Sequence, residues 1–439
     1  MKKWKTVVLA AVLGGARLGS APAPMDLGLG EALREALAKN PALQRSLLEQ
    51  VRREAESREA RGALLPSLEA QASEIRHSFN YETYTGEPAH GTPVLIGPFS
   101  VRSVGLQAEV PLLDLSLWRR WRGSEAMVES GRAEVEQARE EISALVVGQY
   151  LLALRAEAQI RAIQARIDLA RNLEDLAVHQ EQSGVGTGLD TLRAKVRTRT
   201  EEQALIRART SRQEAVSGLV RLLALPAGTE LHLKPLPGPE TPDGAGAGLE
   251  EDVRSAIDGR ADFRSLQAQS RAADERVEGV RALRLPSLQA FGSLQDMGLV
   301  KTNLERVFEV GVQVRVPLFT GGRIQAQENQ ARAARSQLDA VRRDQEARVA
   351  FEVRVARERL EAARSEVTLS ESVLDLSRAE LEQARHRFEA GVSSNIELVS
   401  AQEELAKAQE GNLDARYRLD QAQADLAHAK GELEARYVR

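Results

Sequence analysis

The side chains that most often carry chemistry are sparse here and poorly spaced for it. The six histidines are His77, His90, His179, His232, His386 and His428. None has the paired spacing by which a helix presents two imidazoles to zinc. Cysteine is absent, which removes disulfides, thiolate ligands, thiol nucleophiles and a lipidated N-terminal cysteine. The run Gly184-Val185-Gly186-Thr187-Gly188 superficially suggests a phosphate loop. No strand pattern precedes it and no Lys-Ser/Thr follows, so it reads as the turn of a helical hairpin. Gly321-Gly322 reads as a flexible strand-to-helix junction. The many Glu–Arg pairs read as solvated helix faces that contribute little each. No enzyme, cofactor or metal site is expected from these residues.

Composition points the same way. Charged residues make up 28% of the chain and the net charge is −4, so no basic field exists to recruit nucleic acid. Aromatics are only 4%, and Ala, Glu, Gln, Arg and Leu dominate, as in long helices. Lys2, Lys3 and Lys5, the apolar run Val7–Ala16 and Ala21-Pro22-Ala23 together predict a secretory signal over residues 1–23. No later segment approaches the roughly 20 apolar residues of a membrane-spanning helix.

The elements that would position any site occur twice. Leu65–Ala70 (LPSLEA) returns as Leu285–Ala290 (LPSLQA), Val104–Asp114 as Val310–Thr320, and Ser183–Leu192 as Ala390–Val399. Asn40-Pro41-Ala42-Leu43 aligns with Arg260-Ala261-Asp262-Phe263. The expected division is a first repeat over 24–225, a Pro/Gly-rich linker over 226–248 and a second repeat over 249–439. Proline is absent between Leu112 and Leu225 and again after Leu318, which permits very long helices. A helix of about 65 residues would reach roughly 100 Å. Pro66 and Pro286 are expected to open strands, and Pro111 and Pro317 to end them. Alternation at Leu68–Ala72, Val104–Val110, Leu288–Leu294 and Phe308–Val316 predicts four strands. His77–Phe99, rich in aromatics, Gly and Pro, is expected to be an exposed loop near lipid headgroups.

Four strands cannot close a barrel, and an open edge in lipid leaves backbone groups unpaired. Two chains would give eight strands, whose interior is filled by side chains. Three chains would give twelve, which closes around a conduit.

In the order, duplication and spacing of these segments the chain resembles the TolC-type outer-membrane factor family, from about Leu27 to about Glu434. The paired Leu-Pro-Ser-Leu entries, the Val-Pro-Leu exits and the glycine turns at Gly184-Val185 and Gly391-Val392 carry the resemblance. It implies a mostly α protein with a transmembrane β portion. In that picture a homotrimer forms a twelve-stranded β-barrel in outer-membrane lipid, continued by a long α-helical tunnel into the periplasm. It also implies a passive exit duct for efflux or type I secretion, opened by an inner-membrane pump through a periplasmic adaptor (membrane fusion) protein. Docking falls to Gly184, Val185, Gly391, Val392 and Ser393. The family's acidic pore residues map onto Glu397 and onto Ser400, which carries no charge; Glu404 lies two turns beyond Glu397. His179 and His386 are equivalent between the copies; a trimer would gather six of them near the tip, which leaves open inherited surface residues or a protonation-sensitive ring. The rival class is a non-channel periplasmic coiled coil or adaptor, which would normally have a single hairpin. The cargo is not encoded in any of these features.

Overall fold

A computed structural model describes residues 25–184, 186–236, 248–299, 303–390, 392 and 395–438. The predicted signal over 1–23 and linker residues 237–247 lie outside the described residues. The elements, in chain order, are β1 (Met25–Leu27), α1 (Leu29–Lys39), α2 (Pro41–Gly62), β2 (Ser67–Asn80), α3 (Tyr81–Thr85), β3 (Leu95–Leu113), α4 (Leu115–Gln182) and α5 (Gly188–Leu222). There follow β4 (Leu231–Leu233), α6 (Leu249–Gly259), α7 (Ala261–Ala282), β5 (Ser287–Leu299), β6 (Glu305–Arg315), α8 (Arg323–Glu389), α9 (Asn395–Lys430) and α10 (Leu433–Tyr437). The chain forms two compact units, each drawing on both halves of the sequence.

One unit, Arg45–Gln137 with Arg260–Arg348, holds a four-stranded antiparallel sheet in the order β2-β3-β5-β6. Because every neighbour is antiparallel, Ser67, Leu113, Ser287 and Arg315 lie at one end of the sheet and the β2–β3 and β5–β6 connections at the other. Two sequence expectations need correction. Pro111 does not end its strand, since β3 runs on to Leu113. The missing proline N–H is absorbed by a register shift between Pro111 and Leu113, the usual device where a ladder must skip a donor. The expected loop His77–Phe99 is also shorter. β2 reaches Asn80 and β3 resumes at Leu95, with a register shift between His77 and Phe79. His77 stacks edge-on against Phe99 at 4.5 Å, and Phe79 lies 5.0 Å from Tyr84. Cross-strand aromatic pairing thus lengthens the ladder where Gly and Pro suggested irregularity.

The other unit comprises the described parts of Met1–Gln44, Ala138–Gly259 and Val349–Arg439 and is built from helical hairpins. α8 and α9 meet along a repeat of seven. Leu398, Leu405 and Asn412 alternate with Ala401, Ala408, Ala415, Ala422 and Ala429 on the buried face of α9. Val353, Leu360, Leu381 and Phe388 alternate with Ala356, Ala363, Ser377 and Ala384 on α8. A period of 3.5 keeps such a seam facing its partner, and alanine at every second position lets the backbones approach closely. Asn412 interrupts the apolar seam and donates to Ser370 Oγ at 3.1 Å, which fixes the register of the hairpin. α4 and α5 pair through Ile163, Ile167 and Ala208. The short strands β1 and β4 pair in parallel, Met25 opposite Leu231. The fully buried Tyr150 lies with its hydroxyl 2.9 Å from the Leu27 carbonyl and 2.6 Å from that of Lys234. Burial pushes its phenol up to about 12.

Candidate functional site: an apolar sheet face, a helical wall and two hairpin turns

The sheet has two chemically distinct faces. Leu68, Val104, Leu106, Leu294, Phe308, Val310, Val312 and Val314 share one face by register, and all are exposed among the described residues. Val310 is 80% and Phe308 74% exposed. A soluble half-buried sheet would place its apolar face against a core, so the bare face here requires an apolar surrounding. From Phe308 to Val314 the stripe covers about 20 Å along β6, of the same order as the outward apolar band of an outer-membrane barrel. The ion pairs Arg102–Glu74 and Arg306–Asp296, each at 3.0 Å, bound that stripe at the loop end. The opposite face is polar. Glu109 accepts from Gln289 at 2.9 Å and from Gln107 at 3.1 Å, and Ser73 and Ser103 share a hydrogen bond of 2.8 Å. Among the described residues, β2 and β6 each keep one unpaired edge. Among the described residues, no helix is long and apolar enough to cross a membrane.

In the helical unit, the turn after α4 is made by Gly184 in the left-handed region, φ 80°, which L side chains rarely adopt. Thr187 and Asp190 then form a capping box that starts α5. Val185, Gly391 and Ser393 lie outside the described residues. Val392 is 73% exposed. Leu173 and Leu176, near the end of α4, pack against the cluster containing Phe388 and Leu398. The last turns of α4 and α8 and the first turn of α9 therefore lie at one end of the unit.

Glu397, Ser400 and Glu404 all lie on the exposed side of α9, opposite the seam of Leu398, Ala401 and Leu405. Neither carboxylate stands alone. Arg387 Nε reaches Glu397 Oε1 at 3.2 Å, and Lys407 Nζ reaches Glu404 Oε1 at 2.9 Å. Arg387 carries no signal of this role in the sequence, where it lies ten positions before its partner across the turn. His179 and His386 each contact their own helix, the Asp175 carbonyl at 2.7 Å and Glu382 at 3.9 Å respectively.

The helices also enclose charged residues that carry no signal in the sequence. Glu201 occupies a seam position of α5, between Ala194 and Ala208, and is 4% exposed. Arg166 of α4 pairs with it at 3.0 Å and Arg197 at 2.7 Å. These residues line a small cavity with Gln402 and Gln409 of α9. In the sheet-bearing unit, Glu328 is similarly enclosed by Arg281, Arg284 and Arg332, at 2.9, 2.6 and 2.6 Å. Among the described residues, no group of His, Asp or Glu is arranged to hold a metal ion.

A bare apolar sheet face with open edges, joined in one chain to helical hairpins packed by alanine-rich seams, is the pattern of an outer-membrane channel chain. The family follows directly: the model for outer membrane efflux proteins matches residues 32–225 and 253–432, so the chain belongs to that family. It is 28% identical over 428 residues to Protein CyaE of Bordetella pertussis, covering 93% of this chain and 85% of that one. It is 26% identical over 347 residues to the alkaline protease secretion protein AprF of Pseudomonas aeruginosa, covering 75% and 69%. Its fold superposes on the outer-membrane channel OprN with a TM-score of 0.81 at 18% identity, over 92% and 90% of the two chains. The protein is an outer-membrane exit duct of the efflux family.

Proposed function

We propose that three copies of this chain close a twelve-stranded barrel and continue it as a tunnel of helices into the periplasm. The observation that carries this reading is the bare apolar face of a sheet with both edges unpaired. In lipid each unpaired backbone group costs several kcal/mol, and three four-stranded sheets are the smallest set that closes around a conduit. The helices support the same assembly. Leu189, Leu192, Val196 and Ile206 form an exposed apolar stripe on α5, and Leu369, Val373 and Leu376 form another on α8. Such stripes on outer helices suit packing against a neighbouring subunit.

The duct is passive in this account, and the two hairpin turns receive a periplasmic adaptor that couples it to an inner-membrane pump. A family described by efflux that includes a relative named for protease secretion fits a conduit whose cargo is chosen by its partners. Glu397, Ser400 and Glu404 line the constriction near those turns. The signal over 1–23 directs export, and residues 226–248 link the two repeats. Outer-membrane fractions should yield a trimer that resists detergent and dissociates on heating. A periplasmic monomer recovered from the soluble fraction would overturn the assignment.

A further inference from the structure

The end of the sheet where the helices attach is strongly and one-sidedly charged. Four chain segments pass this junction: Arg58–Pro66, Asp114–Arg122, Glu275–Arg284 and Arg315–Arg332. Together they carry eleven arginines against five carboxylates, Glu59, Asp114, Glu275, Glu278 and Glu328, and no lysine. The loop at the opposite end, Tyr81–Val94, holds no lysine or arginine. Some of the junction charge is internal: Arg281, Arg284 and Arg332 converge on Glu328, and Asp114 caps α4 by accepting from Ser116 and Leu117 N–H groups.

The first turns of α4 carry three more of these arginines, Arg119, Arg120 and Arg122. Trp118-Arg119-Arg120-Trp121-Arg122 follows Leu112, Leu113 and Leu115, all exposed apolar residues. The guanidinium carbons of Arg119 and Arg122 lie 5.1 and 5.4 Å from the Trp118 ring centre. Arg119 also pairs with Glu275 at 2.9 Å. Arg120 and Arg122 are exposed and have no carboxylate partner among the described residues. On the other side of the sheet end, Leu318 and Phe319 are 93% and 91% exposed. An apolar rim followed within one helical turn by tryptophan and unpaired arginine is the chemistry of a membrane–water boundary. Guanidinium is planar, weakly hydrated and shaped to grip a phosphate through two N–H groups. Stacking on Trp118 holds the Arg122 guanidinium in place in advance.

We propose that Trp118–Arg122 binds the phosphodiester headgroup of an anionic phospholipid in the leaflet that meets the helical end of the sheet. Arg120 and Arg122 hold the phosphate, while Trp118 and Leu113 lie against the upper acyl chain. This rests on the membrane placement of the sheet, and its failure is separable from failure of that placement.

The chain's three tryptophans are Trp4, Trp118 and Trp121, so Trp4→Phe leaves fluorescence that reports this turn alone. The full chain would be reconstituted in phosphatidylcholine vesicles containing a small, equal fraction of phosphatidylglycerol or phosphatidylcholine with brominated acyl chains. Brominated phosphatidylglycerol should quench more strongly. Arg120→Gln with Arg122→Gln should lose most of that preference, by up to about fivefold per arginine, and the Lys pair should keep part of it. Replacing chloride by inorganic phosphate at constant ionic strength should leave the preference intact. Equal quenching by the two lipids, a preference that survives the double Gln variant, or one abolished by inorganic phosphate would overturn the proposal. No quenching by either lipid would also remove the membrane placement on which it rests.

Discussion

Arg387, in the last turn of α8, and Glu397, in the first turn of α9, face each other across the hairpin at 3.2 Å. The pair is too exposed to matter much for stability, so its effect should appear in permeation. Three Glu397 carboxylates near a narrow axis would favour cations, and three Arg387 side chains would mute them. In planar bilayers, Glu397→Gln should reduce cation preference and block by multivalent cations, and Arg387→Gln should raise both. Unchanged conductance and selectivity in both variants would remove Glu397 from the constriction.

The turn before α9 makes a separate prediction. Val392 is largely exposed. Val392→Trp should leave trimers intact and abolish export by crowding an approaching adaptor helix. Normal export from cells carrying that change would exclude the turn as a docking point.

Glu328 predicts a pH dependence. The hydrogen bond from Arg281 and the charges of Arg332 and Arg284 hold its carboxyl below the ordinary value of 4.5, against the opposing effect of burial. A depressed folded pKa contributes stability that is complete above the unfolded value and is lost as pH falls through the folded one. Glu328→Gln removes that contribution and leaves three guanidiniums crowded around a neutral amide. Its heat-dissociation temperature should lie below that of the unmodified protein by a constant margin above about pH 5.5, and the margin should shrink below about pH 4.5. A margin independent of pH down to acid dissociation would show that the carboxylate charge plays no part.

Much of this was legible in the sequence because it rests on periodicity. Alternation at Phe308–Val316 and Val104–Val110 marked the strands and even their apolar sides, since strand side chains must alternate. What alternation could not say is whether Val310 meets a core or lipid; that needed the uncovered face. Proline misled at Pro111, where a register shift carries the strand two residues further. Aromatic pairing of His77 with Phe99 overrode the local Gly and Pro signals. Charges were the least legible. Glu201 looks like any surface glutamate until Arg166 and Arg197 close over it, and Arg387 acquires a role only when the hairpin folds back. The three-residue strands β1 and β4 have no local pattern at all, being held by a partner some 200 residues away and by Tyr150.

The loop end of the sheet predicts topology. Tyr81–Val94 lies opposite the end that carries the long helices, so it should face the cell exterior. An epitope inserted after Ala89, beyond the short helix α3, should be labelled on intact cells. Labelling only after the outer membrane is permeabilised would invert the orientation.

The most direct test of the trimeric duct uses the two unpaired strand edges. The chain contains no cysteine, so single cysteines introduced along β2 and along β6 have no background. Oxidation of doubly substituted chains in outer membranes should give cross-linked bands that end at three subunits, for one alignment of β2 against β6 shifted in step along both strands. Bands that stop at two subunits, extend beyond three, or form for no alignment would contradict closure of the barrel by three chains.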